Sequence, residues 1–131
     1  MIQKELLVPD RVRRPPREGW SWVDRRFLRE HAARLSHEAI ALYLFLAAVS
    51  DQRGLSFYSD TSTAIRLRMS ERAVVAARDE LTAEDLVAYR SPLTQVLSLP
   101  LSTRVRRGGL ASLGEIFRAL AHPTASGGRQ P

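Results

Sequence analysis

The sequence predicts a mainly helical α+β fold, and three observations carry that expectation. The first is an apolar run over residues 39–49, set between Ser36 and Gly54, which reads as a buried central helix. The second is a pair of short helical patterns within 59–82, each preceded by residues able to cap it and separated by about three residues, an arrangement that makes a helix-turn-helix unit. The third is a pair of strand-like segments, 86–90 and 94–99, flanking a Ser91-Pro92-Leu93 turn, which reads as a β-hairpin.

Taken in order, residues 1–19 hold Arg11, Arg13, Arg14 and Arg17 around the adjacent Pro15 and Pro16. Two prolines side by side forbid a helix interior, so this stretch is expected to be an extended basic arm. Trp20 and Trp22 begin an apolar lead-in to a domain spanning 20–100. At a spacing of two, one indole is expected in the core and the other half-exposed; stacking on nucleic-acid bases is the functional alternative. A short helix is expected over 24–33, with Phe27, Leu28, His31, Ala32 and Leu35 on one side. Ser36 is a good N-cap for a helix over 37–51 that is apolar nearly all round. Gly54 ends the connection, and 55–58 forms a short strand candidate. Ser59, Asp60 or Thr61 can cap a helix reaching Arg68. Ser70 then caps another reaching Leu81 or Thr82, with Val74, Ala77 and Leu81 at core spacing.

Residues 101–131 read as a basic tail. Arg104, Arg106 and Arg107 precede Gly108-Gly109, and Ser112 and Glu115 then have capping-box spacing. Leu113, Ile116, Phe117 and Leu120 fall on one face of a helix over 113–121. A helix that short does not hold together alone in water. Its stripe is expected to dock on its own domain, on a second copy in a homodimer, or on a protein partner, with those four residues as anchors.

The formal net charge is +6, which suggests a polyanionic partner; the near-absence of lysine, with Lys4 alone among the basic residues, also fits a GC-rich coding sequence. The excess sits on the flanks, because residues 1–35 and 101–131 each carry a net +4 while 36–100 carry −2. There is no cysteine, which excludes disulfides, thiol catalysis and zinc-finger spacing and fits a reducing, cytoplasmic compartment. The N-terminus has no apolar stretch of signal-peptide length, and an eleven-residue apolar run is too short to span a bilayer, so no membrane role is expected. His31, His37 and His122 share no ligand spacing, so no metal is expected. The acids Glu80, Glu84 and Asp85 face no evident nucleophile or base, and neither glycine pair is a phosphate-cradling loop. The sequence therefore predicts a binding protein rather than an enzyme, with no cofactor.

The segment 22–99 resembles the winged helix-turn-helix domains of bacterial regulators and of plasmid or phage replication initiators. The residues that carry the resemblance are Phe27-Leu28, Leu35-Ser36, then Ala39, Tyr43 and Leu46. They continue through Gly54, Ser56-Phe57-Tyr58-Ser59, Ala64, Leu67, Met69-Ser70, Val74, Leu81 and Leu86-Val87. The resemblance implies that the helix opened by Ser70 enters the major groove of double-stranded DNA and that the hairpin near Ser91 touches backbone or minor groove. Arg66, Arg68, Ser70, Arg72, Arg78 and Arg90 are then the domain's candidate contacts, and Arg11, Arg13 and Arg14 those of the arm. The implied role is an accessory or regulatory factor in transcription, or in replication of a replicon or mobile element.

This chain departs from the pattern at several places. Arg68 and Asp85 stand where glycine is common. The outward positions of the second helix are Glu71, Arg72, Ala73, Val75, Ala76 and Asp79, of which Arg72 alone can read a base edge bidentately. Val75 and Ala76 instead suit the alternative, a module of the same fold that binds protein without sequence-specific DNA reading.

Overall fold

A computed structural model describes residues 2–100 of the chain. Its α-helices are α1 (His37–Val49), α2 (Asp60–Leu67) and α3 (Glu71–Ala83). Its strands are β1 (Leu55–Ser56), β2 (Val87–Arg90) and β3 (Leu93–Val96), which form one antiparallel sheet in the order β1-β3-β2. The protein is an α+β fold, mostly helical. The tail segment expected to be helical, with Leu113, Ile116, Phe117 and Leu120, lies outside the described residues.

Each helix starts where a serine side chain accepts a backbone N–H that the first turn would otherwise leave orphaned. Ser36 accepts from Ala39 at 3.1 Å, Ser59 from Ser62 at 3.0 Å and Ser70 from Ala73 at 3.0 Å. Ser36 is also tied to α3. Its backbone N–H and its hydroxyl donate to the two carboxylate oxygens of Glu80, at 2.8 and 2.6 Å. The core lies where α3 crosses α1 and the hairpin closes over both: Ala39, Leu42, Tyr43 and Leu46 meet Ala77, Leu81, Leu86 and Val87. Phe27 completes it, stacked on Tyr43 with ring centroids 4.1 Å apart.

Four expectations need correction. The segment 24–33 is not a regular helix. It contains a widened π-type turn, Phe27–His31, and a tight 3-10 turn, Ala32–Arg34. The widened turn keeps Phe27 and His31 inside but sends Leu28 outward, where it is 74% exposed. Trp20 and Trp22 are both exposed, at 63% and 70%, so neither enters the core. A spacing of two in extended chain puts both indoles on one side, and here that side is outward. Helix α1 is not covered all round, since Leu44 and Ala48 remain exposed.

The irregular segment is tied to the end of α3 through Glu84, while Glu30 Oε1 and His31 Nε2 are buried without a partner. Glu84, just past its end, accepts from Arg34 Nε at 3.1 Å and Nη2 at 2.8 Å, and its Oε1 lies 3.5 Å from Nδ1 of the buried His31. The Arg34 guanidinium holds the Glu84 carboxyl below its ordinary value.

The ends of α2 and α3 are built alike. After α2, Met69 N–H reaches back to Ala64 O at 3.1 Å and Arg68 sits at φ 59°, ψ 48°. After α3, Leu86 N–H reaches Leu81 O at 2.9 Å, Asp85 N–H reaches Thr82 O at 3.0 Å, and Asp85 has φ 63°. Both are Schellman-type closures, which favour glycine at the left-handed position. Arg68 and Asp85 are the non-glycine residues with positive φ among those described, and they stand at the two places where the sequence pattern expects glycine.

Gly54 joins β1 to the sheet at φ 85°, and Val96 N–H donates to its carbonyl at 2.8 Å. A Cβ there would lie 2.4 Å from Val96 O, a backbone atom. Gly54→Ala is therefore expected to cost more than about 1 kcal/mol, because it adds a clash to an unfavourable φ. A lowered urea midpoint with unchanged slope is the result that checks it.

Candidate nucleic-acid interface

The turn between α2 and α3 carries three of the domain's candidate cations. Arg66 lies in the last turn of α2, Arg68 in the turn itself and Arg72 in the first turn of α3, and all three are exposed. The Arg66 guanidinium sits 5.7 Å from the centroid of the Tyr58 ring, which steadies it without burying it. Ser70 is used as the α3 cap, so its oxygen already accepts one backbone hydrogen while its hydroxyl proton stays free to donate.

Helix α3 divides cleanly between core and solvent. Val74, Ala77 and Leu81 are buried, whereas Arg72, Val75, Ala76 and Asp79 are exposed. The acid at the start of the helix is partly occupied, because Glu71 accepts from the Thr61 hydroxyl at 2.8 Å. Asp79 is exposed on the outer face and opposes any approaching phosphate.

The structure gives Arg78 a different place from the one expected. Its guanidinium pairs with Asp60 in the first turn of α2 and lies 3.9 Å from the centroid of the Tyr89 ring on β2. Only 13% of its side chain is exposed. Arg78 therefore ties α2, α3 and the hairpin together, with most of its side chain covered. Sequence alone leaves Arg78 among the contacts because its partners, Asp60 and Tyr89, are remote along the chain.

Arg90 ends β2 and is exposed at the hairpin tip, next to the cis Ser91-Pro92 turn. Arg13 and Arg14 lie in exposed chain outside any helix or strand, and Arg11 closes a short 3-10 turn, Pro9–Arg11. All residues 2–23 are exposed, so the arm is open to solvent along its length. Elsewhere two acids are held ionised by local bonds. Asp24 lies below its ordinary value mainly through its hydrogen bonds from Arg26, and Asp51 through backbone N–H donors of Leu55 and Arg53.

No group of three or more acidic or imidazole side chains placed to hold a metal is present among the described residues. None of their helices is long and apolar enough to cross a membrane. No protein-family model matches the chain, and no curated protein or solved structure matches it.

Arg78→Ala should act on stability rather than directly on a ligand. Losing a mostly buried cation–π contact and an ion pair is expected to cost about 1–2 kcal/mol. A fall in Tm measured without ligand checks this, and an unchanged Tm would return Arg78 to the contact surface.

Proposed function

We propose that residues 20–100 form a winged helix-turn-helix domain that binds double-stranded DNA. Its role would be that of an accessory or regulatory factor, in transcription or in replication of a replicon or mobile element. The order of elements supports this reading: a central helix, a short strand, two capped helices across a tight turn, then a hairpin paired with the first strand. In that reading α3 enters the major groove, Arg72 is the base-reading side chain, and Arg66, Arg68 and Arg90 meet phosphates. The arm residues Arg11, Arg13 and Arg14 would add minor-groove or backbone contacts.

The observation that carries the proposal is Arg68. A left-handed residue with a Cβ costs roughly 1–2 kcal/mol, and glycine would remove that cost. An arginine held there, exposed, and directly before the helix that would meet DNA is explained by the use of its guanidinium. Opposing it, the exposed face of α3 carries Asp79, which limits the electrostatic contribution of the helix and shifts it to the turn, the hairpin and the arm.

Anisotropy measurements on a labelled duplex across a salt series test this. Affinity should fall steeply with salt, by about 0.9 in the logarithmic slope for each phosphate contacted. Changing Arg11, Arg13 and Arg14 together to Ala should flatten the slope by roughly 2–3. Arg68→Gly should raise folding stability by about 1 kcal/mol while flattening the slope by about 1. A chain that binds no duplex at low salt overturns the proposal, and an Arg68→Gly variant that gains stability without losing affinity removes Arg68 from the interface.

A second reading, a protein-interaction module of the same fold, is favoured by one specific observation. Ile65 on α2 and Val75 on α3 are exposed at 72% and 40%, beside the exposed Ala76. Under that reading Val75→Asp abolishes capture of the partner with the fold intact and leaves low-salt DNA affinity little changed.

A further inference from the structure

Away from α2 and α3, the described residues enclose a groove of about 710 Å³. Its floor includes Tyr43 and Ala47 of α1. One wall is the lead-in with Trp20 and Trp22, and the other is the end of the described chain, with Leu97 and Leu99. The lead-in is fastened across α1 by the Ser21 hydroxyl, which donates to Ala47 O. The two indoles remain largely exposed at its lip, an expense of apolar surface that the domain itself does not cover.

We infer that this groove is the seat of the chain's own C-terminal segment, with Leu113, Ile116, Phe117 and Leu120 packed between the two indoles and the Leu97–Leu99 wall. Three observations single out this occupant. Leu97, Ser98 and Leu99 line the groove, and Pro100 follows them directly as the last described residue before the segment. Thirteen steps separate Pro100 from Leu113, a reach of up to roughly 40 Å at 3.3 Å per residue, which exceeds what a domain of this size requires. The four apolar residues repeat at spacings of three, one and three, the pattern of a helix face laid into a groove.

The same tether decides between this chain and a second copy. A tether of thirteen residues within one chain supplies an effective concentration of roughly millimolar order, well above that of a free second chain in dilute solution. The rim charges do not select the occupant, since Asp24 and Asp51 are matched there by Arg26 and Arg53. Apolar contact does. The inference is independent of the DNA reading, because no α2 or α3 residue lines the groove.

Trp20 and Trp22 are the only tryptophans in the chain, so intrinsic fluorescence of the full chain reads the groove alone. The experiment compares the full chain with an Ile116→Asp, Phe117→Asp double variant, with far-UV circular dichroism and Tm recorded for both. The expected result is a shift of emission to longer wavelength and greater quenching by acrylamide in the variant. The difference should be unchanged on dilution, with the domain still folded. Equal emission and quenching in the two chains overturns the inference. So does indole protection that grows with protein concentration, which would mean a second copy, or protection that arises only on adding a single-stranded oligonucleotide, which would mean base stacking.

A second measurement stands if the double variant fails to fold. The chain has no cysteine, so a nitroxide on Ala119→Cys labels one site. It should broaden both indole N–H resonances within the same chain. Broadening that is absent, or that reaches an isotopically labelled chain only from a separate spin-labelled one, overturns the inference.

Discussion

Helix α1 carries apolar side chains on most of its faces, and the arrangement of the rest of the domain follows from covering it. Helix α3 crosses one face through Ala77 and Leu81, and the base of the hairpin closes over it with Leu86 and Val87. Phe27 lies flat on Tyr43 and fills another side. Burial of this kind is non-directional, so it does not by itself set where each helix begins or how α1 and α3 align. The Glu80 carboxylate supplies that direction. It takes both hydrogens of Ser36, the residue that caps α1, and so fixes the start of one helix against the middle of the other.

The stops are as closely specified as the starts. Both short helices end in the same back-reaching bond, from Met69 to Ala64 and from Leu86 to Leu81. The second closure also buries Leu81 and Leu86 against one another, so the chain leaves α3 already aimed into the sheet. Side-chain chemistry at these closures is unusual in that neither left-handed position is glycine. An aspartate tolerates that backbone through its short polar side chain, whereas an arginine has no such local compensation.

Much of this was legible along the chain. Ser36 and Ser70 marked two helix starts, and Ser59, Asp60 or Thr61 bracketed the third, because capping is a local event, decided within three residues. The hairpin showed itself through its turn and the apolar residues around it. The places where sequence reasoning went astray all involve distance along the chain or a change of helical period. Leu28 was misplaced because a π-type turn shifts the register by a residue, which a 3.6-residue pattern does not reveal. Arg78 looked like a surface cation because Asp60 and Tyr89 are brought to it only by folding. The two tryptophans read as packing residues because their size and apolarity predict burial; what their exposure reflects is that the surface beside them belongs to elements far away in sequence.

The position of Arg78 has a mechanical consequence. One guanidinium touches the beginning of α2 and a ring on β2 while its own backbone belongs to α3. The middle of α3, the start of α2 and strand β2 are thereby joined through one side chain when the domain folds. The conformational freedom of aligning these three elements is thus lost on folding, and any later contact that uses more than one of them does not lose it again.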